Sequence, residues 1–87
     1  MRKYEPLFRY LCEAGDGPVE MTFEEIGRLV GGLPTSARRH PGWWSNEPVA
    51  GPHVQAEAWR EAGREVIDVD LAGGQVRFSA ARWLRGS

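Results

Sequence analysis

Eighty-seven residues carry eleven bases against twelve acids, a net charge of −1, which points to one domain over residues 1–87 and excludes a chain held open by charge repulsion. Leu, Ile, Val and Phe make up about a fifth of the chain and four Trp add large apolar bodies, so a small packed core is expected. No apolar run approaches the ~18 residues of a membrane span, no charged-then-apolar start marks a signal peptide, and one Cys with two His is too few soft ligands for a structural zinc site.

Tyr4, Leu7, Phe8 and Leu11 recur at i, i+3, i+4 and i+7, which predicts a first helix ended by Gly15 and Gly17-Pro18. Cys12 is expected at the edge of the core. Val19 and Met21 predict a very short strand. Thr22-Phe23-Glu24-Glu25 is a capping box, and Phe23, Ile26, Leu29 and Val30 form the apolar stripe of a second helix stopped by Gly31-Gly32. Leu33 to His40 predicts about a turn and a half of helix, with Pro34 suited to its first turn and Pro41 closing it. Residues 47–52, with Pro48, Gly51 and Pro52, read as a loop.

A fourth helix is expected from about His53 to Ala62, with Val54, Ala58, Trp59 and Ala62 on one face and Gly63 as its cap. Glu57, Arg60, Glu61 and Arg64 read as its exposed face. Ile67, Val69 and Leu71 alternate with Asp68 and Asp70, and Val76 and Phe78 alternate with Arg77, around Ala72-Gly73-Gly74-Gln75. That predicts a β-hairpin whose Ile67, Val69, Leu71, Val76 and Phe78 all face the core, against Leu7, Phe8, Phe23, Ile26 and Trp59. The tail, Ala80 to Arg85, is read as adding a helical turn. The expected fold is α+β and winged helix-turn-helix-like, helices followed by a C-terminal β-hairpin, with the fourth helix as a departure from that outline.

The near-zero net charge hides a segregation. Glu13 to Glu25 holds five acids and no base, whereas Leu33 to Asn46 and Leu71 to Ser87 hold bases and no acid. If those two windows lie side by side they form a basic face with aromatic residues, suited to phosphate contacts and base stacking. The residues of that candidate nucleic-acid interface are Ser36, Arg38, Arg39, His40, Trp43, Trp44, Asn46, Arg77, Arg82 and Arg85. Adjacent side chains cannot readily both point inward from a turn, so one of Trp43 and Trp44 is expected buried and the other partly exposed. A pI near 6.1 argues against a high-affinity non-specific binder.

The reading is therefore a small cytoplasmic DNA-binding protein, transcriptional or nucleoid-associated. Its expected partner is double-stranded DNA, with a homodimer among the arrangements allowed. The alternative is a protein-interaction module that uses Trp43, Trp44 and Trp83, partly exposed, as anchors. No G-x-S-x-G, H-E-x-x-H or P-loop occurs, so no enzyme, metal site or cofactor is expected.

At Thr22-Phe23-Glu24-Glu25-Ile26, Leu33-Pro34-Thr35-Ser36-Ala37-Arg38, Trp43-Trp44-Ser45-Asn46, His53 through Trp59 and the C-terminal Val76-Arg77-Phe78, the chain resembles a widespread family of small bacterial domains of unknown function. The pattern is T-F-x-E-I, L-P-x-S-A-R, W-W-x-N, H-x-Q-A-x-A-W and V-x-F, and it spans Tyr4 to Phe78. The chain departs from it at Arg64, where members usually carry an aromatic, and at Ala80, where they tend to carry a base. The resemblance implies no activity.

Overall fold

The computed structural model describes residues 2–46 and 55–82, and the loop 47–52, His53, Val54, Trp83 and Arg85 of the sequence reading lie outside them. The described residues form four α-helices and a three-stranded antiparallel sheet, an α+β domain. In chain order these are α1 (Glu5–Glu13), β1 (Val19–Thr22), α2 (Phe23–Val30), α3 (Thr35–Arg39), α4 (Gln55–Arg60), β2 (Val66–Asp70) and β3 (Gln75–Phe78). The sheet order is β1-β3-β2.

The capping box forms as read. The Thr22 hydroxyl accepts from the Glu25 N–H at 3.0 Å, and the Glu25 carboxylate accepts from the Thr22 N–H at 2.8 Å. The hairpin tip satisfies a third group there, because the Gly74 carbonyl accepts from the Phe23 N–H at 2.8 Å. Gly74 sits at φ +69°, the left-handed conformation that closes the turn, with its N–H on the Asp70 carbonyl. The tip is thus docked on the start of α2.

Helices cover one face of the sheet. Val19, Met21, Val76 and Phe78 are buried beneath them, while Glu20, Arg77, Asp68 and Asp70 are exposed on the other face. The core is a run of rings. Phe23 stacks on Trp44 at 5.1 Å, Trp44 on Trp59 at 5.8 Å, and Trp59 meets Phe78 at 5.6 Å. Trp43 is half-buried, edge-on to Trp44 and to Tyr4. One tryptophan in and one partly out is the expected division. Both buried indole N–H groups have acceptors, Ala37 carbonyl for Trp44 and Asn46 Oδ1 for Trp59.

Four expectations need correction. Ile67 does not face the core: it is 54% exposed, and Val66 takes its place. A bulge between Val66 and Asp68 shifts the register, so Val66 opposes Phe78 and Asp68 opposes Arg77. Asn46 accounts for it, because its amide accepts from the Val66 N–H at 2.7 Å and donates to the Val66 carbonyl at 2.8 Å. Cys12 is exposed rather than at the core edge, and Ala80 to Arg82 form no helix.

The fourth correction is Arg64, which is only 1% exposed. The fourth helix ends at Arg60, and the turn at Gly63 carries Arg64 back under α1. Its Nε–H and one Nη–H reach the Leu11 carbonyl at 3.1 and 3.0 Å, and the others reach the carbonyls of Gly15, Gly17 and Ser79. All five guanidinium donors are used. Burial draws its pKa below the ordinary arginine value, against the pull of Cys12 and Asp16 nearby.

Candidate nucleic-acid interface

The chain leaves α2 at Gly31 and reaches α3 through Pro34, whose carbonyl accepts from the Ala37 N–H at 3.0 Å. Helix α3 buries one residue, Ala37, and the Ala37 carbonyl takes the Trp44 indole N–H at 2.8 Å. The Ser36 carbonyl accepts from the His40 N–H at 2.9 Å and closes the helix. A helix this short is marginal alone, so its place depends on that single inward contact and the Trp44 anchor. Everything else on it points outward: Thr35, Ser36, Arg38, Arg39 and His40 are exposed. Thr35 was not among the residues picked from sequence, although it opens this surface directly after Pro34.

The Arg38 guanidinium lies 6.0 Å from the Phe23 ring centroid, within reach of a cation–π contact that steadies its stem and leaves its donors outward. Among the described residues, Arg38, Arg39 and His40 form no ion pair. The four exposed groups Ser36, Arg38, Arg39 and His40 therefore gather two full positive charges and several donors on one helical turn, chemistry suited to phosphate oxygens and base edges.

The remaining sequence-predicted residues divide differently. Trp44 is 2% exposed and belongs to the core. Asn46 is spent on Val66 and Trp59, so its amide holds the strand to α4. Trp43 presents only part of its ring, and its carbonyl accepts from the Gln55 amide at 3.0 Å. Arg77 lies in mid-strand on the outer sheet face, paired with Glu20 at 3.0 Å and opposite Asp68 in the register. Arg82 pairs with Glu65 at 2.6 Å, near the Val66–Phe78 end of the hairpin. Arg85 lies outside the described residues.

The expected joint basic face is not assembled by these residues. The hairpin end beside α2 carries Asp70, Gly73, Gly74 and Gln75, with no base, and the hairpin's arginine stands between carboxylates. What persists of the candidate interface is α3 and the half-exposed Trp43 ring. Among the described residues, no group of three or more His, Cys, Asp or Glu is placed to hold a metal, and no helix is long and apolar enough to cross a membrane.

The sequence profile of one family, described as a domain of unknown function (DUF7662), matches residues 4–81. No curated protein and no solved structure matches the chain.

Proposed function

Because the chain belongs to this family of domains of unknown function, its role has to be argued from its surface, and we propose a small DNA-binding protein with a winged helix-turn-helix-like fold that uses α3 as its contact segment. The observation that carries the reading is the outward display of Ser36, Arg38, Arg39 and His40 on a helix pinned by Ala37 and Trp44. The order α1-β1-α2-α3 followed by a hairpin, with β1 paired to β3, supports the winged outline, and α4 is an insertion before the wing. Of the motif positions that carry the family resemblance, Trp44, Asn46, Gln55 and Trp59 are consumed by packing and internal hydrogen bonds. Ser36 and Arg38 are not.

In this reading the wing supplies shape beside α3 and few charges. Arg77 and Arg82 are paired with glutamates and lie away from α3, so they add little to the contact with the DNA backbone. The test is a titration of labelled mixed-sequence duplex against three proteins at two salt concentrations. Arg38→Ala with Arg39→Ala weakens binding by about tenfold or more, with each lost phosphate contact flattening the salt slope by about one unit. Arg9→Ala with Arg77→Ala removes the same net charge from two glutamate-paired positions and changes affinity little. Equal losses from the two double variants would mean diffuse attraction with no dedicated face. No binding by the parent at low salt overturns the reading and favours a protein partner.

A further inference from the structure

A second cationic feature lies at the far end of the hairpin from the Gly74 tip. An open cavity of about 310 Å³ is lined by Arg60, Gly63, Arg64, Glu65 and Arg82. The backbone builds it: the Arg82 N–H donates to the Gly63 carbonyl at 2.9 Å, the Ser79 N–H to the Glu65 carbonyl at 2.7 Å, and the Ala81 N–H to the Asp16 carbonyl at 3.0 Å. Those bonds bring Arg60 at the end of α4 beside Arg82, although the two are far apart in sequence. No spacing rule would have joined them.

The charges in this cavity do not balance. Three arginines and one carboxylate line it, with Arg60 and Arg82 exposed, Arg64 buried, and Glu65 bonded to Arg82 at 2.6 Å. Arg64 spends its five donors on carbonyl oxygens and lies behind the cavity wall, its positive charge offset in part by Asp16 nearby. A positive charge held in a low-dielectric wall attracts an anion more strongly than the same charge in water. Arg60 and Arg82 are exposed at the opening and keep planar donors that match an oxyanion. The Arg60 carbonyl accepts from the Gly63 N–H and the Gly63 carbonyl from the Arg82 N–H.

We propose that this cavity is a binding site for a small phosphate monoester, held directly by Arg60 and Arg82 with Arg64 supplying fixed positive charge from behind. The lining arginines outnumber its one carboxylate, and a phosphate monoester, a dianion near neutral pH, gains more from that excess than a monoanion does. The volume is at the small end of ligand sites, which fits a phosphate-sized head group with few further atoms. Glu65 competes with the ligand for Arg82. The site does not depend on α3 or on the DNA reading, since Arg38 lies over Phe23 at the other end of the sheet.

The experiment follows the arginine side-chain Nε–Hε resonances of the full chain during titration with inorganic phosphate at constant ionic strength. Dimethyl phosphate, a monoanionic diester like the DNA backbone, serves as the second probe. The expected result is saturable movement of the Arg60 and Arg82 signals with phosphate and at least fivefold weaker binding of the diester. Arg60→Gln and Arg82→Gln each lower phosphate affinity about tenfold, and Glu65→Gln raises it several-fold by releasing Arg82. All three side chains are at least partly solvent-exposed, so the variants retain the fold, which their amide spectra check directly. Non-saturating shifts equal to those of Arg9, affinity unchanged in Arg60→Gln, or diester binding as tight as phosphate overturns the proposal.

Discussion

Arg64 shows how one side chain can tie three parts of a small domain. Its guanidinium joins the end of α1, the turn before β1 and the end of β3 through the carbonyls of Leu11, Gly15, Gly17 and Ser79. Truncation would leave those carbonyls without their donor and open a void under α1. Hydrogen bonds from a charged group are worth about 1.5–3 kcal/mol each and do not add fully. Arg64→Ala is therefore expected to destabilise the domain by at least about 3 kcal/mol in urea unfolding. Arg9→Ala, which breaks only an exposed pair with Glu5, is expected to cost less than about 1 kcal/mol. Equal, small effects would show that the carbonyl cage contributes little. Tyr4 gives a pH signature. Burial raises its phenol above the ordinary value of about 10, so the folded state holds that proton longer than the unfolded chain does. The stability tied to it is intact below pH ~10 and is lost as pH rises through the raised pKa. Unfolding curves between about pH 9 and 11 should fall less steeply for Tyr4→Phe than for the parent.

At the scale of elements, the bulge in β2 decides which residues the core receives. Ile67→Ser is expected to change stability by less than about 0.5 kcal/mol because that side chain is in solvent, whereas Asn46→Ala is expected to cost about 2 kcal/mol by stranding the Val66 N–H and the Trp59 indole. A larger loss from Ile67→Ser than from Asn46→Ala in the same assay would contradict the register. The hairpin itself was legible because alternation and a Gly-Gly turn are local signals. The bulge was not, since the amide that imposes it lies twenty residues upstream. The capping box was legible for the same local reason. Arg64 was misread because helical spacing was carried past Arg60, where the helix had already stopped. Of the candidate interface, the α3 residues could be read from an acid-free run after Pro34. The commitment of Trp44 and Asn46 to the interior depended on tertiary partners that no spacing discloses.

Across the whole molecule, charge is sorted by place. Glu20, Asp68 and Asp70 surround Arg77 on the open sheet face, α3 carries Arg38 and Arg39, and the remaining described cluster of arginines surrounds the cavity beside Glu65. A near-neutral chain can still steer a polyanion when its bases are concentrated on one exposed turn and its acids lie elsewhere. On the proposed reading, α3 is the turn that meets DNA. The most direct measurement is the backbone amide spectrum of the isotope-labelled chain titrated with a short duplex at low salt. The largest shifts are expected on Thr35 to His40 and the Trp43 indole, while Ile67, Asp68 and Arg77 on the sheet face stay nearly still. Shifts centred on the sheet face, or none at any duplex concentration, would contradict it.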